Sequence, residues 1–143
     1  MKTLHSEFRD PRIEQLELSK LSPMDIHKDG RWQYRDMPSI QSDGLFYPIA
    51  CYWLNEDMWF RSFVRPLQHA VDIREPIVND EGMILAIKIG NNKFQVAEHL
   101  GYTHIDGIVF ENSDEATKHG LWYRVCDPLH NPEKIYLNTF NYD

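Results

Sequence analysis

Hydrophobic and polar residues fall along this chain in short blocks, and the blocks read as strands joined by brief helices. Residues 83–89, Met-Ile-Leu-Ala-Ile-Lys-Ile, are apolar almost throughout and predict a strand. That run stops at Gly90, a short helix closed by Gly101 follows, and a second strand returns over 105–110. Upstream, 47–54 is apolar and β-prone, which suits a buried strand, while 13–18 (Ile-Glu-Gln-Leu-Glu-Leu) alternates as an early strand. Residues 21–26 predict a turn or a single helical turn. A short helix is expected over 38–42, with Asp36 as N-cap and Gly44 as its stop.

Over 55–74, Trp59, Phe60, Phe63, Val64 and Leu67 recur at helical spacing, and Asn55 suits the cap of that helix. Asn79-Asp80-Glu81-Gly82 predicts a hairpin turn between Ile77-Val78 and the strand at 83–89. Ser113 is a suitable cap for a helix reaching about His119, with Asp114 and Glu115 at its positive end. Residues 1–12 read as a polar arm. The tail, 128–143, carries Ile135, Tyr136, Leu137, Phe140 and Tyr142, enough apolar surface to pack on the domain or on a partner. Strands alternating with short helices predict one mixed sheet in an α/β or α+β layer fold, with residues 13–127 as its domain.

The Gly90 junction is where chemistry is expected. A glycine between strand and helix lets main-chain N–H groups converge at a helix N-terminus, which welcomes an anion. Asn91, Asn92 and Lys93 occupy that turn. The plain alternative is a glycine-assisted turn with polar caps and an exposed lysine.

Composition narrows the setting. The chain has 143 residues, 42% of them hydrophobic, which is material for one compact domain with a core. No apolar run approaches transmembrane length, and the amino terminus lacks a signal-peptide core, so the expected location is the cytoplasm. Cys51 and Cys126 lie far apart, form no CxxC and suit a reducing compartment. A net charge of −7 argues against broad non-specific DNA binding, which needs Lys and Arg against phosphates. Aromatics make up 13% of the chain and suit both a core and an interface.

Four segments in order resemble one family. Gln33-Tyr34-Arg35 is similar to the "QPR" element of ParB amino-terminal domains. Residues 39–49, Ser-Ile-Gln-Ser-Asp-Gly-Leu-Phe-Tyr-Pro-Ile, resemble their "SIxxxGLLQPIVV" passage. Gly90-Asn91-Asn92-Lys93, then Val96-Ala97 and Leu100-Gly101, resemble "GERRxxAAxxLG", and 105–110 stands where the family has its "IPVIV" strand. The match spans roughly 13–120 and points to the ParB/sulfiredoxin-like superfamily, most closely to small stand-alone ParB-like nuclease-domain proteins of tailed phages. If the chain is phage-encoded, its cytoplasm is the host's. The resemblance implies a ParB/sulfiredoxin-like fold that binds a nucleoside triphosphate with Mg2+ at Gly90–Lys93. Gln33 and Arg35 would face the same pocket, although a solvated loop arginine fits as well. Asp25 and Asp36 offer carboxylates nearby, as helix caps or as a base or metal ligand. Activities in the superfamily include CTP-dependent DNA clamping, sulfinic acid reduction, serine phosphorylation with a nucleotide, and DNA cleavage.

The departures matter as much. Triphosphate-binding members place arginines after the glycine, where this chain has only Lys93. Two lost charge-assisted hydrogen bonds at ~1.5–3 kcal/mol each amount to ~3–6 kcal/mol, unless Arg31, Arg35 or Lys88 substitutes. No cysteine lies in the turn, against sulfiredoxin chemistry. The "ENxxR" box is absent after Glu111-Asn112, no helix-turn-helix follows, and 55–74 reads as an insertion. Any turnover is expected to be phosphoryl transfer or nucleotide hydrolysis. A metal-dependent nuclease acting on DNA is a further alternative, but Glu75, Asp80, Glu81 and Asp106 are explained more simply as solvated loop residues. The alternative from another class is a non-catalytic interaction module that keeps the fold and docks a protein through the aromatic insertion or tail. Arg61 and Arg65 form a candidate phosphate-facing pair. His99 and His104 straddle Gly101, no zinc pattern appears, and Cys51 reads as a core residue.

Overall fold

The computed structural model describes residues 2–24, 26–27, 32–63, 71–72 and 74–126. Three strands form its centre: β5 (Ile49–Asn55), β7 (Met83–Ile89) and β8 (His104–Phe110). β5 runs antiparallel to β7 and parallel to β8, so the sheet is mixed. β3 (Leu21–Pro23) extends it, parallel to β7, while β1 (Thr3–Leu4) and β2 (Glu14–Glu17) both pair with β8. β4 (Ile26–His27) and β6 (Val71–Asp72) form a separate two-stranded ribbon. This is an α+β fold, as the alternation of strands and helices predicts.

Period-two geometry explains why β5 and β7 are apolar at nearly every position. Ile49, Cys51, Leu85 and Ile87 face one core with Phe94, Val96 and Ala97 of α3 (Asn91–His99) and Ile40 of α1 (Met37–Asp43). Ala50, Tyr52, Leu54, Ile84 and Ala86 face the other. There Trp59 of α2 (Glu56–Phe63) and Ala116 of α4 (Ser113–Cys126) cover them. Helices thus lie on both sheet faces, and the β7-to-α3 junction sits on the first.

Several local expectations change. Residues 21–23 form β3 rather than a turn: parallel pairing with β7 buries Leu21, Ser22 and Pro23, and Ser22 Oγ accepts the Ile77 N–H at 2.9 Å. The helical turn falls just before, at Leu18–Lys20. The polar arm is tied down, with Leu4 and Ser6 buried and Glu7 and Phe8 donating to the Leu45 and Phe46 carbonyls. Asn112, not Ser113, caps α4, its Oδ1 accepting the Glu115 N–H at 2.9 Å. α4 also passes His119 and runs through Gly120, where a Cβ would lie 2.1 Å from Ile89 Cγ1. That glycine is there for close helix-to-strand approach, not to end the helix.

Asn55 does cap α2, through Oδ1 and the Met58 N–H at 2.9 Å. Asn79 closes the hairpin turn, its Oδ1 accepting from both Glu81 and Met83. Of the aromatic stripe, Trp59 is buried and Phe60 is exposed, while 64–70 and the tail from 127 lie outside the described residues.

Candidate functional site

β7 delivers the chain to Gly90, which takes φ +108°, a conformation that side chains rarely adopt. A Cβ there would also stand 2.4 Å from Ile49 Cγ2, so strand β5 packs where a side chain would be. α3 then begins with no side-chain cap, and its first backbone bond runs from the Phe94 N–H to the Gly90 carbonyl at 2.9 Å. Helix geometry leaves the N–H groups of Asn91, Asn92 and Lys93 without intrahelical acceptors, at the positive end of the helix dipole.

The three side chains of this turn do different things. Asn91 is buried: Oδ1 accepts the Met24 N–H at 2.7 Å and Nδ2 donates to the Ile87 carbonyl at 3.2 Å. It ties the end of β3 to β7, so only its main-chain N–H is available to a ligand. Asn91→Ala strands a buried donor and is expected to cost about 1–3 kcal/mol, read as a lower urea midpoint at unchanged slope. Asn92 holds a buried Oδ1 with no hydrogen-bond partner. Lys93 is only 5% exposed, and its Nζ sits 4.5 Å from the centre of the buried Tyr47 ring. Among the described residues no carboxylate forms an ion pair with it. Sequence reasoning took this lysine as either a phosphate ligand or a solvated side chain; the structure encloses it.

The segment carrying the other candidates packs on α3. Trp32–Asp36 forms one π-helical turn leading into α1, and the Trp32 and His99 rings lie 5.5 Å apart. Gln33 is exposed, the Arg35 side chain lies outside the described residues, and Asp36 is fully buried at the N-cap position of α1. Its carboxylate makes no capping bond to that helix. Asp25 and Arg31 lie outside the described residues. Lys88 lines a groove with Trp53, Met58, Glu111 and Asp114.

Elsewhere, Arg61 pairs with Asp57 at 3.0 Å, and Arg65 lies outside the described residues. His104 Nδ1 meets Thr103 Oγ1 at 2.8 Å. Cys51 is a core residue, and burial, with Glu14 adding to it, pushes its thiol above the ordinary range. Glu75, Asp80 and Glu81 are exposed, but Asp106 is not a solvated loop residue. It sits within β8, 1% exposed, contacted by His5 and Arg9. The available signal was its position between Ile105 and Gly107-Ile108 in an otherwise apolar strand. Among the described residues no three His, Cys, Asp or Glu side chains converge to hold a metal. Among them, too, no helix is long and apolar enough to cross a membrane.

No protein-family model, curated protein or solved structure matches the chain. What defines it is an α+β mixed sheet with an uncapped helix start at a glycine turn.

Proposed function

We propose that this protein binds a nucleotide, or a related phosphate ester, at the turn Gly90–Lys93. The observation that carries this reading is Lys93, a side chain only 5% exposed, with its Nζ over the Tyr47 ring and no carboxylate paired to it among the described residues. Partial desolvation of an ammonium is unfavourable, and a cation–π contact returns only about 0.5–2 kcal/mol. A bound anion would balance that charge, assisted by the Asn91, Asn92 and Lys93 N–H groups and the helix dipole. Asn92 Oδ1 lacks a donor, and rotation of that side chain would offer it to a sugar hydroxyl or base amino group. A ligand with an anionic end and a donor-bearing end is what a nucleotide offers. The resemblance to ParB/sulfiredoxin-like domains supports the same location. Phosphates would be held by Lys93 and the turn; no set of side chains for Mg2+ is assigned, nor any base, since Asp36 is enclosed. The reading is one of binding.

Thermal unfolding tests it with a panel of nucleoside triphosphates, with and without magnesium. A ligand at a hundred times its dissociation constant stabilises by ~2.7 kcal/mol, on the order of 10 °C here. Lys93→Met keeps the buried stem and removes the charge, and it is expected to abolish that shift while leaving the unliganded protein folded. Stabilisation that persists in Lys93→Met would refute the role of this lysine.

A second reading, docking of a partner protein, is favoured by one observation. Trp53 and Met58 are exposed along one groove, and Phe60 is 51% exposed on the same helix as Met58.

A further inference from the structure

We propose that His5, Arg9 and Asp106 form a second ligand site, which takes a small oxyanion of the phosphate type. None of these side chains belongs to the Gly90 turn. Asp106 is the starting point, because a carboxylate in an apolar strand is strongly unfavourable unless it is paired. Its Oδ2 accepts the Ser6 N–H at 2.9 Å, and His5 Nδ1 lies 3.2 Å and 3.3 Å from its two oxygens. Arg9 approaches Oδ2 with one nitrogen at 3.6 Å. The backbone that carries these groups is fixed, since Ser6 bridges to Leu45 and the next two residues donate to the Leu45 and Phe46 carbonyls. His5 and Arg9 are therefore held over Asp106 by main-chain pairing as well as by charge.

That arrangement assigns the imidazole. Facing an ionised carboxylate, Nδ1 carries the hydrogen and donates, which leaves Nε2 of the neutral ring as an acceptor, able to take the hydroxyl hydrogen of a hydrogen phosphate. His5 is half exposed and Arg9 more so, and both line a cleft of about 450 Å³ with Asp10, Pro11, Ile13 and Gln15. This volume lies within the range of small-molecule sites, about 300–1,000 Å³. Asp10, the other carboxylate there, is neutralised by Arg12, whose Nε and Nη2 donate to it at 3.0 Å and 2.9 Å. Burial alone would raise the Asp10 pKa, but the bonds and charge of Arg12 outweigh that and hold it below its ordinary value. Gln15 accepts from Thr3 Oγ1 through Oε1, so its amide nitrogen remains a donor. The cleft thus offers guanidinium and amide donors beside an imidazole acceptor, with its acidic groups already paired. That combination suits an oxyanion that keeps a hydroxyl, such as hydrogen phosphate. His5 and Arg9 are its binding residues, and Asp106 is a positioning residue that fixes the ring.

The test uses the full chain carrying Lys93→Met, so that the Gly90 turn contributes nothing. The probe is inorganic phosphate, with chloride at matched ionic strength as the control. Imidazole 15N resonances, assigned through His5→Gln, should show the Nδ1–H form in the neutral ring. They should also move saturably with phosphate and not with chloride. Arg9→Ala replaces an exposed side chain, keeps the fold, and should weaken binding by ~tenfold or more. Asp106→Asn should lose the Nδ1–H preference. If that variant fails to fold, the wild-type ring already decides the point. A neutral wild-type ring in the Nε2–H form would overturn the role of Asp106. A phosphate response that is linear, matched by chloride or unchanged in Arg9→Ala would overturn the site.

Discussion

Gly90→Ala should destabilise the protein by about 2–6 kcal/mol, lowering the urea midpoint without a change in slope. Two effects add. Alanine at φ +108° is strained, at a cost on the order of 1–3 kcal/mol. Its methyl would also stand 2.4 Å from Ile49 Cγ2 and 2.9 Å from Ile49 Cβ, and overpacking costs ~1–3 kcal/mol. Ile49 is fully buried on β5 and has nowhere to retreat. Against a typical stability of about 5–15 kcal/mol, the loss is large enough to leave the variant partly unfolded in warm solution. A midpoint within experimental error of wild type would mean that the turn is not packed as described, and the proposed anion site would lose its frame.

Trp59→Ala is expected to cost about 3–5 kcal/mol, and Phe60→Ser less than about 0.5 kcal/mol, although the two residues are neighbours. Trp59 is fully enclosed against the sheet face formed by Ala50, Tyr52 and Leu54, whereas Phe60 projects into solvent. The contrast separates the core role of α2 from a docking role. If a partner or a second copy docks on this side, Phe60→Ser and Trp53→Ser abolish association in sedimentation or pull-down experiments and leave the unfolding midpoint unchanged. Equal destabilisation by Trp59→Ala and Phe60→Ser would contradict the packing of this helix.

The strands that build the sheet were legible because they are apolar on both faces: 47–54 and 83–89 stand out in any reading of the sequence. Gly90 was legible too, because a glycine between an apolar strand and a short helix has few other uses. What the sequence withheld depends on tertiary neighbours. Nothing local in Leu21-Ser22-Pro23 announces a strand; β7 makes it one by offering a parallel edge. Gly120 looks like a place for a helix to end, until Ile89 is seen beneath it. At the turn, the sequence set Lys93 apart by its charge but left Asn91 and Asn92 as undistinguished polar caps. Burial separates the three into a structural clip, an unpartnered acceptor and a cation whose side chain is only 5% exposed. Asp106 was hidden for the same reason, since its partners His5 and Arg9 lie about a hundred positions away in the chain.

The most direct test of ligand binding at Gly90–Lys93 is a residue-resolved titration of the 15N-labelled protein with each common ribonucleoside triphosphate. At least one triphosphate is expected to shift the Asn91, Asn92 and Lys93 amides saturably, and Lys93→Met to remove the response. Amides that stay in place with every triphosphate, or shifts confined to residues 5–9, would contradict it.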